Sequence, residues 1–437
     1  MNKKNIDIVV SNQLCSGCGT CSVVCPEGGI TMEKTNIGRL YAKIDTDQCT
    51  HCGLCYENCP SIDNKNILIK DQKDPFTGEI KNVYTAKSLN KDYFNNSQSG
   101  GLVTTLLDFL FETKQIDVAI VCVNTFGKTT SEINYKIISK KEDLPASQKS
   151  CYTPIDMVSA LKDTANFKAI AFVGLPCHIQ GITELQNNFK KYQNIKYKFG
   201  LVCDRSLSEK ISDVLIKGEN KNEDKKIIFR NKNLTHNNHY YNYKNAPVVV
   251  KYKNGDSDVI PNYYRFLLKD MFTSPRCKIC FDKLNIHADI VFGDPWGMKN
   301  TDSEKGESLI LTRTTVGDDL LKQCLGKGKI TLTNRLLSEV IEGQQINKRK
   351  SQILTFIQVF KKHNWIIPEY LQLMGKSLTN IKPSDETEAN NLITNYLNLE
   401  KKDSKYIVKY GKSYLRKAVL KIKMDRLFKI LHLTHNF

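Results

Sequence analysis

Two copies of one cysteine pattern, 34 residues apart, constrain this chain more than any other feature. The first reads Cys15-x-x-Cys18-x-x-Cys21-x-x-x-Cys25-Pro26 and the second Cys49-x-x-Cys52-x-x-Cys55-x-x-x-Cys59-Pro60. Each run supplies three thiols from one tight loop and a fourth before a proline that turns the chain away. A cubane cluster takes four soft thiolates, and in runs of this kind the fourth cysteine serves the other cluster. That rule assigns Cys15, Cys18, Cys21 and Cys59 to one [4Fe–4S] cluster, and Cys49, Cys52, Cys55 and Cys25 to a second. Gly17, Gly19 and Gly53 leave little bulk around the sulfurs and free backbone N–H groups to bond them. Structural zinc also uses Cys-x-x-Cys pairs, but two complete copies ending in Cys-Pro favour iron. Residues 1–62 therefore read as a bacterial-type 2[4Fe-4S] ferredoxin domain.

The chain has 437 residues and 15 cysteines, eight of them within the first 59 residues. Its start, MNKKNIDIVVSNQLC, has no apolar region of signal-peptide length. Without an export signal, such density points to metal binding rather than disulfides. No apolar run approaches the roughly 18 residues a membrane span needs. A cytoplasmic location is expected.

Residues 63–82 are polar, with Pro75 and Gly78 as turn residues, and read as a linker. From 83 to 325, short β-branched runs alternate with helical stretches, which predicts an α/β domain. Strands are expected at Val118–Val123, Ile133–Ile138, Ala169–Val173, Tyr197–Val202, Val248–Lys253, Ile290–Phe292 and Ser308–Thr312. Helices are expected after Gly101, Pro154 and Gly181. Asn254-Gly255 suggests a hairpin, and Lys217–Lys226 a solvated loop. Residues 326–437 read as a helical, basic region. The formal net charge is +18, and Glu400–Phe437 carries eleven Lys/Arg against three Asp/Glu, whereas residues 1–60 carry five against six. Leu415, Val419, Ile422 and Ile430 fit one helical face, interrupted by Arg426. Such a helix packs on its parent domain or, as a second reading, touches an anionic membrane surface. No nucleic-acid motif accompanies the charge, so no nucleic-acid partner is expected.

Seven cysteines lie outside the head. Cys122, in an apolar strand, and Cys324, in a helix, read as core; Cys151 is ambiguous. Cys177 and Cys203 each follow a strand, and Cys277 and Cys280 form a Cys-x-x-Cys pair. Strand ends in α/β domains converge on one rim, where ligand sites form. Four thiols at one rim would suit a third [4Fe–4S] cluster, with zinc or free thiols as rivals.

The ordered blocks SQSGGLVTTLL (97–107), GLPCHIQGI (174–182), GLVCDRS (200–206), CKICFDKLNIHADIVFGDPWG (277–297) and GESLILTRTTVGDDLL (306–321) resemble the family of coenzyme F-420 hydrogenase/dehydrogenase beta subunits over residues 1 to 325. The resemblance implies an iron–sulfur flavoprotein that passes electrons between clusters, FAD and a diffusible small-molecule acceptor. It implies Cys177, Cys203, Cys277 and Cys280 as ligands of a third cluster. It places Ser99, Gly100 and Gly101 at a helix start that approaches an anionic part of FAD, though an ordinary cap would read the same way. Gly174 and Pro176 would lie against the flavin, and Gly293 and Asp294, in the GDPWG turn, would complete the pocket. No G-x-G-x-x-G follows a strand, so the usual dinucleotide fold has no support. Where relatives carry Gly-Ser-Lys-Tyr, this chain reads Lys149-Ser150-Cys151-Tyr152, with Cys151 in the lysine's place. His178, beside a ligand, is a candidate proton donor or a structural histidine. Arg205 and Arg276 could meet an anionic acceptor or form exposed salt bridges.

The expected fold is thus α+β / α/β: ferredoxin domain, α/β flavin-binding domain, basic helical region. The expected function is an oxidoreductase fed by ferredoxin or a redox partner subunit, reducing an unidentified acceptor, with polysaccharide biosynthesis as one setting. The alternatives are an electron-transfer beta subunit of a hydrogenase or dehydrogenase using coenzyme F-420, or a non-catalytic electron carrier.

Overall fold

The computed structural model describes residues 3–62, 74–216, 223–378 and 383–434, with the side chains of Ser377 and of residues 426–434 left aside. The head holds an antiparallel ribbon of β1 (Ile30–Lys34) and β2 (Leu40–Ile44), with short helices at Thr20–Val24 and Leu54–Glu57. Both helices follow a glycine in the left-handed region, Gly19 (φ +91) and Gly53 (φ +81). That backbone is strained for residues with a Cβ.

An eight-stranded mixed sheet forms the body. Its strands are β3 (Asn82–Ser88), β4 (Val118–Thr125), β5 (Glu132–Ile138), β6 (Ile170–Gly174), β7 (Ile195–Leu201) and, after a smaller sheet, β13 (Ile290–Gly293), β14 (Ser308–Thr312) and β15 (Ile330–Asn334). The smaller sheets comprise β8 (Lys225–Ile228), β9 (Leu234–His236), β10 (His239–Tyr241), β11 (Val248–Tyr252) and β12 (Ser257–Ile260). The large sheet runs β15-β3-β14-β13-β7-β6-β4-β5. β4, β6, β7 and β13 are parallel neighbours, and the outer strands are antiparallel. β6 is buried along its whole length, as expected of a strand covered on both faces. β5 alternates between exposed and half-buried residues, as an edge strand does.

The helices Leu102–Glu112 and Thr315–Gly326 cover one face through Leu102, Leu106, Leu110, Leu320 and Leu321. The head, the helix Pro176–Asn188 and a 3-10 turn at Met157–Asp163 cover the other. Gly181 makes this docking possible, because a Cβ there would lie 2.0 Å from Thr20 Oγ1 of the head. Val158 N–H donates to the Cys18 carbonyl (3.1 Å), and the Ser22 and Ser159 hydroxyls meet at 3.0 Å. The head is therefore seated on the sheet rather than tethered to it.

All seven expected strands form, as does the β11–β12 hairpin. Several expectations need correction. The segment after Pro154 is a 3-10 turn rather than an α-helix, with five consecutive residues, Met157–Leu161, buried between head and sheet. The helix expected after Gly181 begins at Pro176, where proline suits the first turn. Past Leu320 the chain is not purely helical. β15 pairs with β3, so the sheet extends beyond residue 325 to Asn334. Lys225 and Lys226 belong to β8 rather than to a solvated loop, and Lys225 is buried; Lys217–Asn222 lie outside the described residues. Leu415 and Val419 of the helix Ser404–Thr434 pack on the body, while Leu420 and Met424 are exposed. The side chains of Arg426 and Ile430 lie outside the described residues. Among the described residues no helix is long and apolar enough to cross a membrane.

Candidate iron–sulfur relay and rim site

The cysteines fall into groups that sequence order alone does not show. The Cys21 thiol is fully buried, and its pKa is raised first by burial, then by repulsion from Cys15, Cys18, Cys59 and Cys55. Cys59 is raised the same way, with Cys18 and Cys15 as neighbours. The fourth cysteine of the second run thus joins the first three of the other. Cys55 has Cys52 and Cys25 beside it, the reciprocal exchange. Cys49 enters the same loop three residues before Cys52.

The four later cysteines also meet. Cys177 lies in the first turn after β6, Cys203 two residues past β7, and Cys277 and Cys280 in and after the short helix Pro275–Lys278. Burial raises the Cys177 thiol most, followed by repulsion from Cys18, Cys203, Cys277 and Cys280. Cys177 therefore faces both its own tetrad and the head. Cys203 likewise neighbours Cys277 and Cys280.

This donor set fits cubane clusters. The fifteen cysteines are all free thiols. Backbone N–H groups of Ala42 and Gly17 serve the Cys15 sulfur, Ile6 and Tyr56 that of Cys55, and Ser61 that of Cys59. Such bonds favour the thiolate form. Among the described residues no three His, Cys, Asp or Glu side chains converge on one ion position; a cubane takes its sulfurs at separate corners.

Buried guanidinium groups accompany the sulfurs. Arg276 is 3% exposed, donates to Tyr370 Oη (3.3 Å), and stands near Cys280, Cys177 and Cys59. It therefore spans the two tetrads that face one another. Arg39 stands near Cys15 and pairs with Glu400 (2.7 Å). Arg349 stands near Cys203 and Cys280. Arg205 pairs with Asp204 (2.7 Å) and Asp270 (2.8 Å) and neighbours Cys277. Arg276 is buried, and Arg205 forms salt bridges to two aspartates with exposed side chains, Asp204 (49%) and Asp270 (40%). Arg205 and Arg276 were candidates from the sequence, whereas no sequence signal points to Arg39 or Arg349.

His178 is buried at 3% exposure, and its Nδ1 accepts the Leu175 N–H (3.1 Å). Burial lowers its pKa to about 4, against a hydrogen bond to the Ile155 backbone. Its side chain caps the start of its helix, where Pro176 and Cys177 also lie.

The remaining sequence candidates gather at the C-terminal ends of the parallel strands or above them. Gly293 ends β13, where a Cβ would lie 2.6 Å from Val202. The Asp294 carboxylate pairs with buried Arg230 (2.5 Å), whose guanidinium lies over Tyr243 and Trp296 (5.2 and 5.1 Å to the ring centroids). Gly174 ends β6 against Phe172 and His178, and Pro176 opens the next helix. Ser99 Oγ meets Ser308 Oγ (3.1 Å), and Gly100 N–H donates to the same hydroxyl (3.1 Å). Gly101 (φ +79) starts the helix Leu102–Glu112, whose N-terminus has no side-chain cap. Beside it, Lys232 Nζ donates to the carbonyls of Ser99 (2.5 Å) and Lys305 (3.0 Å). Burial lowers its pKa to about 7, helped by repulsion from Lys149. Lys149 is lowered to about 8 by burial and by repulsion from Lys251 and Lys226. These lysines went unweighed in the sequence, apart from Lys149, because their segments are distant in the chain.

A ferredoxin-type head fused to a mixed α/β sheet, with a further thiol tetrad at the strand ends, defines an iron–sulfur protein of the oxidoreductase class. The chain matches the coenzyme F420 hydrogenase/dehydrogenase beta subunit models, N-term over residues 83–162 and C terminus over 167–335, and a 4Fe-4S dicluster domain over 14–62. It belongs to the family of coenzyme F420 hydrogenase/dehydrogenase beta subunits. It is 28% identical over 341 residues to a coenzyme F420-dependent sulfite reductase of Methanocaldococcus jannaschii, covering 73% of this chain and 47% of that protein. The chain thus spans about half the length of that relative. It is 26% identical to an F(420)H(2) dehydrogenase subunit of Methanosarcina mazei, over 71% of this chain and 82% of that one. The fold resembles a chain of the F420-reducing [NiFe] hydrogenase complex from Methanosarcina barkeri, with TM-score 0.52, 18% identity, and coverage of 68% and 97%.

Proposed function

We propose that this chain is the electron-transfer subunit of a larger oxidoreductase, conducting electrons between its ferredoxin head and the rim of its sheet. The observation that carries this reading is the position of Cys177, whose thiol neighbours both Cys18 of the head and the three other thiols of the rim tetrad. The relay order is then Cys25/Cys49/Cys52/Cys55, Cys15/Cys18/Cys21/Cys59, Cys177/Cys203/Cys277/Cys280. Clusters on these sulfurs would supply one-electron transfer, and a flavin at the rim would supply exchange with two-electron chemistry. The uncapped N-terminus beside Gly101, with Lys232 and Lys149 close by, fits an anionic group such as the diphosphate of FAD. Ser99, Gly100 and Gly174 would form the adjoining wall, and Asp294 would act by fixing Arg230.

The subunit reading replaces a stand-alone reductase of polysaccharide synthesis as the preferred one. Three of the relatives are named as subunits of hydrogenases or dehydrogenases, and a catalytic partner of that kind, with coenzyme F-420 as the small-molecule acceptor, suits this chain. Anaerobic purification with iron, sulfide and flavin analysis tests it. Three cubanes give ~12 iron atoms per chain and two give ~8. About 12 with one flavin, and viologen-driven reduction of coenzyme F-420 only when a partner subunit is supplied, is the expected result. About 8 without flavin would overturn the relay. Turnover by the chain alone would restore the stand-alone reading.

A further inference from the structure

The helix Ser404–Thr434 lies beyond the family models, the last of which ends at residue 335. It meets the body along one side. Ile407 and Leu415 are buried there, Val419 packs on the same core, and a Cβ on Gly411 would lie 2.6 Å from Val214. The first turn also touches the head, where Ser404 Oγ donates to the Asn36 carbonyl (3.1 Å). Just before it, Glu400 pairs with Arg39 of the head (2.7 Å). The helix is thus fixed against both head and body.

Its other side carries a different pattern. Tyr406, Tyr410, Tyr414, Leu420 and Met424 are between 43% and 59% exposed. At 3.6 residues per turn these five fall within an arc of about 120°. The Tyr406 and Tyr410 rings stack, 6.1 Å between centroids, along that stripe. Lys417 and Lys421 lie within the same arc, and Lys405, Lys409, Arg416 and Lys423 along one border of it; all six are exposed. Between Asp403 and Asp425 the sequence has seven basic residues and no acidic one. A groove of about 680 Å³ runs along that border, between this helix and the helix Lys210–Leu215, and is lined by Lys405, Lys409 and Arg416. The carboxylate in its lining, Asp213, pairs with Lys210 (2.7 Å).

Such a face calls for an anionic occupant. A second copy of this chain would set like charge against like. A protein partner fits poorly, because interface cores are depleted in lysine, and six of the seven basic residues here are lysines. A lipid surface suits both halves of the pattern. Lysines keep their ammonium groups at the level of the phosphates while their stems lie along apolar surface. Tyrosines and long apolar side chains settle at the headgroup boundary.

We propose that the outer face of this helix, from Tyr406 to Met424, docks the chain on an anionic membrane surface, lying in the headgroup layer without crossing it. The tyrosines, Leu420 and Met424 enter the boundary, and the lysines meet lipid phosphates. Because Asn36 and Arg39 tie the helix to the head, docking also fixes how the head stands above the lipid. Packing on the parent domain and contact with a membrane, the two readings left open by the sequence, then belong to opposite sides of one helix. The proposal needs no cluster, flavin or partner subunit and stands apart from the subunit reading.

The test is co-sedimentation of the whole chain, iron in place, with vesicles of phosphatidylcholine alone or of equal parts phosphatidylcholine and phosphatidylglycerol. The chain should sediment with the mixed vesicles at low salt and stay in solution with phosphatidylcholine alone. At ~1 M NaCl, where the screening length is about 3 Å, most of the binding should be lost. Lys409→Glu, Lys417→Glu and Lys421→Glu together should weaken binding about a hundredfold, roughly fivefold or more for each lysine. Tyr410→Ser with Tyr414→Ser and Leu420→Ser should weaken it several-fold and leave the salt dependence in place. Iron content and circular dichroism matching the wild type show that these surface variants fold. Equal sedimentation with both vesicle types, or undiminished binding by the charge-reversed chain, would overturn the proposal. A wild-type chain that stays in solution with the mixed vesicles would also overturn it and would leave the face to an acidic protein.

Discussion

The head and the rim each gather thiols into tetrads, but by opposite routes. In the head, three ligands come from one loop and the fourth from a partner loop 34 residues away. At the rim, Cys177 and Cys203 follow the adjacent parallel strands β6 and β7, and the segment of Cys277 and Cys280 is tied beside them by the Leu207–Thr273 bridge and the Cys203 N–H bond to the Lys283 carbonyl (3.0 Å). The head's tetrads depend on local spacing, and the rim's tetrad depends on the sheet. Damage to the head should therefore stay local, whereas the rim should be sensitive to anything that moves a strand end.

The sharpest way to break this comparison is to remove one ligand from each region. Cys277→Ser should take iron from ~12 to ~8 per chain, four being the content of one cubane. The head clusters should remain reducible by dithionite, seen by electron paramagnetic resonance. Electron delivery to any rim acceptor should fall to background. Cys55→Ser should instead remove a head cluster and leave the Cys177 tetrad occupied. If Cys277→Ser also emptied the head, the two regions would be one cooperative unit and the contrast would fail.

A smaller effect comes from the seam between them. Gly181→Ala would place a methyl group on Thr20 Oγ1, at 2.0 Å before relaxation. Overpacking of this kind costs roughly 1–3 kcal/mol. The helix Pro176–Asn188 also carries Cys177, so the substitution should slow transfer from head to rim while leaving iron unchanged. Thr20→Ala together with Gly181→Ala should recover much of the loss. An unaltered thermal midpoint and an unaltered transfer rate would show that the head is not seated through this contact.

The same contrast explains what was legible in the sequence. The head's ligand exchange followed from spacing alone, because its chemistry is written within 45 residues. The seven strands with apolar β-branched runs were legible too. β3 and β15 were not, since NVYTAKS and ITLTN mix polar residues into short runs. Such strands are defined by what they pair with rather than by propensity. The rim tetrad was legible as four thiols at strand ends, but its link to the head was not, because that depends on a glycine and a 3-10 turn packing face to face. The Arg39 and Arg349 guanidinium groups and the lysines at the rim obey no spacing rule. Burial and electrostatics bring them together only after the chain has folded.

The smallest expected effect concerns those lysines, and it assigns the pH sensitivity to the rim. Folded Lys232 and Lys149 have pKa values near 7 and 8, against an ordinary 10.5. Between those values and 10.5 the unfolded chain binds protons that the folded chain does not, so stability rises with pH across that window and falls as pH is lowered through it. Below about 7 both lysines are charged in the folded state and the penalty is complete. Arg230, Lys226 and Lys251 add to the repulsion, while Asp294 and Asp302 oppose it at Lys232. In anion-free buffer the thermal midpoint should therefore climb modestly from pH 7 to pH 9, and Lys232→Met should flatten the climb. Pyrophosphate should act with the opposite sign, stabilising the chain more at pH 7 than at pH 9, because it binds the protonated lysines. A midpoint that is flat in pH, or a pyrophosphate effect that grows with pH, would mean that these lysines are not the anion-binding wall of the rim.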